Sequence, residues 1–163
     1  THRRDNENDN SNAVIQRDSH PDYVRIGNEE TDKLMQRAIQ KAQATCPQFI
    51  EVLQHPKPEY QTLSFKMPFS VHSGGREHIW IVKPSWDGKQ LSGTVGNDPV
   101  DTTEVQLGQI IHASTDPITD WMYVENNILH GGYTIRVLYH TNPPQTQKAM
   151  NKDLGFKIPE IDF

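Results

Sequence analysis

Residues 63–95 read LSFKMPFSVHSGGREHIWIVKPSWDGKQLSGTV, and their pattern predicts three antiparallel strands joined by two turns. Apolar and polar residues alternate from Leu63 to Phe69, which is the period of a strand with one buried face. Gly74 and Gly75 supply the first turn. The second turn contains Asp87-Gly88, and Asp-Gly between two apolar strands is the usual sequence of a hairpin. This segment therefore predicts an antiparallel sheet.

Two further strands are predicted downstream. Residues 105–113 (VQLGQIIHA) and residues 118–124 (ITDWMYV) are apolar runs separated by polar residues, and residues 125–127 (ENN) form a turn. Strands that follow one another with short connections favour a meander. We therefore expect four to five antiparallel strands in sequence order.

The segment before the sheet is predicted to be helical. A first helix is expected to begin near Thr31 or Asp32, and a second to begin at Pro47, capped by Thr45 or Cys46. The second helix should end at residues 55–58 (HPKP). The apolar residues of the first helix recur at helical spacing, which indicates one buried face: Leu34, Met35, Ala38, Ile39 and Ala42.

The C-terminal part allows two interpretations. Residues 133–139 alternate like a strand, but they also fit a helix capped by Thr134, and we favour the helix. A short helical segment should follow Pro143 and Pro144 and end at Gly155. The sequence thus predicts an α+β fold, in which an antiparallel sheet of four to five strands packs one face against N-terminal helices and a short C-terminal helical segment follows.

Composition divides the chain into two parts. The mean hydropathy of the 163 residues is −0.75, and Thr1 to Asn12 contains no apolar residue, so we expect residues 1–30 to form a polar tether and extended arm. Residues 31–163 are expected to form a single α+β domain. The chain opens at Thr1 rather than Met, which predicts that an upstream segment was removed, either by processing of a signal peptide or lipoprotein leader, which would allow a lipid anchor, or at a cloning boundary.

Charge and hydropathy bear on two classes of partner. The net charge is −5, the isoelectric point is about 5.9, and there is no run of Lys or Arg, which argues against nucleic-acid binding. No apolar stretch approaches the roughly 18 residues of a transmembrane segment. A single cysteine, Cys46, excludes an intrachain disulfide and is expected to be a buried structural residue.

Few residues have a pattern that points to chemistry, and common catalytic motifs such as G-x-S-x-G, the P-loop and H-E-x-x-H are absent. If His78, Asp120 and His130 converged, two imidazoles and a carboxylate would suit a divalent metal, with Glu77 as a neighbouring carboxylate. The alternative is that His78 ends a strand, Asp120 accepts turn or cap hydrogen bonds, and His130 lies in a solvated loop. Their spacing does not support the metal site.

Arg136 and the aromatic residues complete the candidate binding residues. Arg136 lies among apolar residues, so we expect it either to pair with a buried carboxylate such as Asp120 or to clamp an anionic ligand, and the ion pair is favoured. Trp80 and Trp121 are expected in the core. Trp86 stands beside a turn and Tyr133 follows two glycines, which makes both candidates for contact with a partner.

Several short motifs follow one another along residues 32 to about 156. In order, they are Met35-Gln36-x-Ala38-Ile39-x-x-Ala42, Pro47-x-Phe49, Phe65-x-x-Pro68-Phe69, Glu77-His78-Ile79-Trp80, Leu91-x-Gly93-x-x-x-Asn97-x-Pro99, Ile118-x-Asp120-Trp121-Met122-Tyr123 and Gly131-Gly132-Tyr133-Thr134-x-Arg136-x-Leu138. Together these motifs resemble the YegJ-like bacterial domain of unknown function (DUF2314).

This resemblance implies no established activity and no cofactor. It also implies that some members are exported and that related domains occur among toxin-neutralising genes and beside ankyrin repeats. We therefore expect a non-catalytic module of an exported or periplasmic protein that binds another macromolecule, with a toxin as the suggested partner; a cytoplasmic location is the alternative. The other hypotheses are a metal-assisted hydrolase that uses Glu77, His78, Asp120 and His130, and a pocket in which Arg136 holds a small anion.

Overall fold

A computed structural model of the chain describes residues 14–17 and 24–163. Within the predicted arm, strand β1 (Val14–Arg17) pairs antiparallel with β2 (Val24–Gly27). The predicted tether, Thr1 to Asn12, lies outside the described residues. The domain boundary at residue 31 stays a prediction.

Helix α1 spans Glu29–Gln54 and is capped by Asn28, so the predicted start at Thr31 or Asp32 is wrong by two to three residues. The side-chain oxygen of Asn28 accepts a hydrogen bond of 2.8 Å from the backbone N–H of Thr31. Asparagine is among the best N-cap residues because its side chain satisfies a helix N–H that has no partner within the helix. The negative charges of Glu29 and Glu30 in the first turn favour the same end.

Pro47 lies inside α1, and the prediction of a second helix that begins there is wrong. A proline inside a helix removes one backbone hydrogen bond, which normally costs about 3 kcal/mol or more. Here the buried stripe continues across the proline at helical spacing, and its packing against the sheet offsets that loss. The helix ends as expected, with His55 as its C-cap. The stripe consists of Ala38, Ala42, Cys46 and Phe49.

Six strands form the main sheet, rather than four to five. Their order across the sheet is β6-β5-β4-β3-β7-β8, and all neighbouring pairs are antiparallel. The first four strands are the expected meander, but the chain then crosses to the other side of β3, so the sheet does not follow sequence order throughout. The strands are β3 (Gln61–Ser70), β4 (Arg76–Trp86), β5 (Leu91–Val95), β6 (Ile110–Ala113), β7 (Asp120–Glu125) and β8 (Ile128–Gly131).

Two differences concern strand bounds. Strand β6 begins only at Ile110, because Gly108 has a φ of 84° and residues 106–109 turn back. Strand β8 was not predicted: its four residues follow the positive-φ turn at Asn126 and Asn127 and carry too little periodicity to recognise. His130 therefore lies on a strand, and its expected place in a solvated loop is wrong.

Both faces of the sheet are covered, whereas the sequence predicted one. Helix α1 packs on the face formed by residues such as Phe65, Ile79, Ile81 and Trp121. On the opposite face, Met122, Val124 and Leu129 pack with Ile135 of the C-terminal helices. Those helices are α2 (Tyr133–His140) and α3 (Pro144–Leu154), so the helical interpretation of residues 133–139 is confirmed, as is Gly155 at the end of α3.

Trp121 fixes α1 to the sheet. Its indole N–H donates to the carbonyl oxygen of Ala42 at 3.2 Å and to Oγ1 of Thr45 at 3.1 Å, and its ring stacks on Phe49. Trp121 is buried, as expected. Trp80, also expected in the core, is only half-buried, and it packs at the edge of the cluster on the opposite face.

Candidate functional site

Asp120 is completely buried and holds the N-terminus of α2. One carboxylate oxygen accepts hydrogen bonds from the backbone N–H groups of Trp121 (2.8 Å) and Tyr133 (3.2 Å). The other accepts from the backbone N–H (2.8 Å) and the hydroxyl (2.5 Å) of Thr134. The predicted cap at Thr134 is therefore wrong: Gly132 is the N-cap residue, and a carboxylate from β7 supplies the side-chain acceptor.

Lys66 is the charged neighbour of Asp120 and is itself buried. The two residues pair across β3 and β7, and the Lys66 ammonium lies 5.2 Å from the centre of the Trp80 ring on the next strand. Burial raises the pKa of the Asp120 carboxyl above its usual value, while Lys66 and the hydrogen bonds from Thr134 and Trp121 oppose that rise. Lys66 was not predicted as a site residue, because an alternating strand gives no sign that its polar face is covered.

The glycines before α2 are required by the same corner. Gly131 has a φ of 68°, and a Cβ on it would lie 2.3 Å from the carbonyl oxygen of Trp121. Gly132 has a φ of 60°, and its N–H donates to that same carbonyl at 2.7 Å. The Asp-Trp and Gly-Gly-Tyr-Thr motifs thus meet in one buried structure, which we name the β7–α2 corner: Asp120, Trp121, Gly131, Gly132, Tyr133 and Thr134.

Glu77 also has a structural role, since its carboxylate binds the loop that follows β5. It is buried, and its carboxylate accepts hydrogen bonds from the backbone N–H groups of Val100 (2.8 Å), Asp101 (2.9 Å) and Thr102 (2.8 Å). Three such donors satisfy the carboxylate and fix the loop that follows β5. With both carboxylate oxygens occupied in this way, Glu77 anchors that loop.

His78 and His130 do not meet Asp120 in a common site. Nδ1 of His78 lies 3.2 Å from the hydroxyl of Thr119, and the ring of His130 stacks on Tyr123 with centroids 4.8 Å apart. Among the residues that the structure describes, no three His, Cys, Asp or Glu side chains lie close enough to hold a metal ion. His78, Asp120 and His130 therefore do not form the metal site that was predicted from them.

Arg136 pairs with the C-terminal tail, and the predicted pair with Asp120 is wrong. Its guanidinium donates to the carbonyl oxygen of Gly131 at 3.1 Å, forms an ion pair of 3.2 Å with Asp162, and lies over the Tyr133 ring. The Asp120 carboxylate is already occupied by α2 and Lys66, so it is not the acceptor for Arg136. Arg136 and Tyr133 are both buried, which does not suit them to contact a partner.

Trp86 and Cys46 lie around one shallow groove between α1 and the loop after β6. Trp86 is half-buried and packs against the main core. Burial raises the pKa of the Cys46 thiol to about 11. A thiol with that pKa is almost entirely protonated near neutral pH, so Cys46 has the environment of a structural residue.

Among the described residues, the two most exposed large apolar side chains lie elsewhere, on and beside the edge strand β6. Ile110 is 66% exposed and Leu107 is 57% exposed. Within the described residues β6 pairs only with β5, so the opposite edge of β6 presents free backbone groups. We name the set of Leu107 and residues 110–113 the β6 edge. One feature of the sequence could have indicated this exposure. Adjacent residues of a strand point to opposite faces of the sheet, so Ile110 and Ile111 cannot both face the core.

The β6 edge lies within an acidic part of the chain. Residues 97–116 contain four carboxylates and no Lys or Arg: Asp98, Asp101, Glu104 and Asp116. Such a segment attracts a positively charged partner over several ångströms and repels an acidic one.

None of the helices that the structure describes is both long and apolar enough to cross a membrane.

Comparison with known proteins places the chain among uncharacterised bacterial proteins. It is 34% identical over 120 residues to "Uncharacterized protein YegJ" of Escherichia coli strain K12, covering 74% of this chain and 76% of that protein. It is 32% identical over 117 residues to "Putative ankyrin repeat protein NMB1133/NMB1171" of Neisseria meningitidis serogroup B, covering 68% of this chain and 46% of that protein. No solved structure matches the chain significantly.

The family match agrees with these relatives. The model of the family described as "Uncharacterized protein conserved in bacteria (DUF2314)" matches residues 32–158, which include all but the first three residues of α1, the six-stranded sheet and both C-terminal helices. The motifs in which the resemblance was seen lie within this range, and the chain belongs to the DUF2314 family.

Proposed function

We propose that this protein is a non-catalytic protein-binding module and that the β6 edge is its binding surface. The observation that carries the proposal is the exposure of Ile110, a large apolar side chain, on a strand whose outer edge pairs with none of the described strands. Natural proteins commonly protect such edges with Lys, Pro or a bulge. Residues 110–113 (IIHA) contain none of these residues, so the edge keeps its capacity to pair with another strand.

The partner that fits is an extended segment with apolar and basic residues. Its backbone would pair with β6, and its apolar side chains would pack on Ile110 and Leu107. Its Lys or Arg residues would face the four carboxylates of residues 97–116. The name of the Neisseria relative includes ankyrin repeats, which are protein-binding units, and this supports a role in protein interaction.

A finer proposal is that the partner is a basic toxin, which this protein neutralises in an exported or periplasmic setting. Two considerations support it: the resemblance to a family with related domains among toxin-neutralising genes, and the four carboxylates of residues 97–116, the segment that contains β6. A weak net charge of −5 gives only general attraction, so the specificity of the pairing rests on β6.

A peptide-display experiment tests the proposal. Peptides of twelve residues that tile the proteome of the source organism are selected on the purified protein and on two variants, I110D and I128D. Ile128 is an exposed apolar residue on β8, at the opposite edge of the sheet, so it is a matched control. We expect basic, apolar peptides that bind the wild type and I128D but bind I110D at least tenfold more weakly. Enriched peptides that bind all three proteins equally, or no enrichment, would contradict the proposal.

A further inference from the structure

A second potential site lies on the sheet face opposite α1. The C-terminal helices do not fill the space above this face, and a cavity of about 200 Å³ remains between them and the sheet. We propose that this cavity binds a single aliphatic chain that carries an uncharged polar head. The site shares no residue with the β6 edge, so this inference does not depend on the proposed protein-binding function.

The walls of the cavity are apolar. The sheet contributes Trp80 and Val82 from β4 and Met122 from β7, two strands that flank β3. Helices α2 and α3 contribute Leu138, Met150 and Leu154. None of the lining residues has a charged side chain. An apolar ligand that enters the cavity therefore removes water from no charged side chain. Its own apolar surface is buried against the walls.

The size and apolar lining of the cavity distinguish it from an ordinary packing gap. Folded proteins contain few voids larger than a water molecule, and an apolar cavity of about 150 Å³ can bind a benzene ring. A buried water needs about two to four polar partners. Ser64 lines this cavity, but its hydroxyl already donates to the carbonyl oxygen of Thr62 at 3.2 Å. The walls thus suit a hydrocarbon better than water.

The polar lining residues suggest where the head of the ligand lies. Thr62 is exposed and Asn97 is partly exposed, so both stand at the mouth. A hydroxyl and an amide can bond an uncharged alcohol, ester or amide head. Thr62 also has a φ of 56°, which is uncommon for a β-branched residue, and the β3–β7 register shifts there. Backbone conformations of this kind are concentrated at ligand sites.

Two methionines adapt the cavity to its occupant and also provide a means of detection. Met122 lies on its floor and Met150 on its roof, and flexible methionines commonly line sites that accept apolar groups of variable shape. The chain has four methionines in total. The other two, Met35 and Met67, pack against the core on the α1 side of the sheet, which makes them internal controls.

The test is a titration of the full chain, labelled with ¹³C at the methionine methyl groups, with 1-octanol. We expect saturable NMR shifts at Met122 and Met150, with Met35 and Met67 unchanged. Octanoate should bind at least tenfold more weakly, because no cationic side chain lines the cavity. Absence of saturable shifts up to the solubility limit, equal shifts at all four methyl groups, or tighter binding of octanoate would overturn the proposal.

A cavity-filling variant gives a second measurement. Leu154 is partly exposed, so L154W should be tolerated while its larger ring occupies the cavity. We expect L154W to bind 1-octanol at least tenfold more weakly, and I128W, which adds the same ring at an exposed residue outside the cavity, to bind it like the wild type. Wild-type affinity in a folded L154W protein would contradict the assignment. If L154W does not fold, the methyl shifts of the wild-type protein decide.

Discussion

The β7–α2 corner and the β6 edge differ in the relation between sequence and exposure. The corner contains the most distinctive motifs of the chain, yet it is buried and its polar groups are paired within the protein. The β6 edge contains no recognisable motif, yet it exposes Ile110 and a strand edge that pairs with no other described strand. In this fold, the residues of the most distinctive motifs have structural roles. The surface suited to a partner lies outside those motifs.

The substitution D120A should give the largest effect, because it removes the carboxylate that holds α2. Four hydrogen bonds lose their acceptor, and buried Lys66 loses its charged neighbour. We expect the free energy of unfolding, measured by urea denaturation, to fall by about 3 to 5 kcal/mol. The control is D116A, at an exposed carboxylate, which should change stability by less than about 0.5 kcal/mol. Similar losses in the two variants would show that the corner is not special.

Alkylation of Cys46 measures how strongly burial lowers the reactivity of its thiol. Its pKa of about 11, against 9.0 for an unperturbed thiol, implies about 100-fold less thiolate at pH 8. Iodoacetamide should therefore react with the native protein at least about 100-fold more slowly than with the chain in 8 M urea. Because the pKa of Cys46 is raised in the folded protein, the protonated thiol contributes to the free energy of unfolding. This contribution is fully present below pH 9 and is lost as the pH rises through 11. Equal reaction rates would indicate an accessible, reactive thiol.

Gly131 and Gly88 form a pair that separates backbone strain from close packing. Both have positive φ, 68° and 98°, but only the Cβ of G131A would collide with backbone, at 2.3 Å from the oxygen of Trp121. We expect G131A to lower the free energy of unfolding by about 2 kcal/mol or more, and G88A by about 1 kcal/mol. Equal costs, measured by chemical denaturation, would mean that the corner tolerates a shift of Trp121.

The smallest effect on stability is expected at the β6 edge. Ile110 is largely exposed, so I110D should change the free energy of unfolding by no more than about 0.5 kcal/mol. Circular dichroism and thermal denaturation check this. A loss above about 2 kcal/mol would show that Ile110 supports the fold, and the comparison between corner and edge would then fail.

Local patterns predicted the elements whose partners are near in sequence. Alternation from Leu63 to Phe69 and the Asp87-Gly88 turn correctly predicted strands β3 to β5 and their pairing. The helix at Pro47 was divided wrongly, because whether a proline is tolerated depends on packing against a sheet that is distant in sequence.

The site residues were harder to interpret for the same reason. Asp120 and Thr134 are separated by 14 residues, and Arg136 and Asp162 by 26 residues. Spacing alone cannot show that a carboxylate caps a distant helix or that an arginine binds the tail of the chain. Arg136 was correctly expected to form an ion pair, but its partner was not identifiable. The exposure of Ile110 likewise depends on which strand becomes the edge.

The most direct test of the account compares the affinities of three proteins for one display-selected peptide, measured by calorimetry. They are the wild type, I110D and the double variant H78A/H130A, which removes the two imidazoles singled out from the sequence. The account predicts at least tenfold weaker binding by I110D and unchanged binding by H78A/H130A. Loss of binding in the folded H78A/H130A protein, with wild-type affinity in I110D, would contradict it.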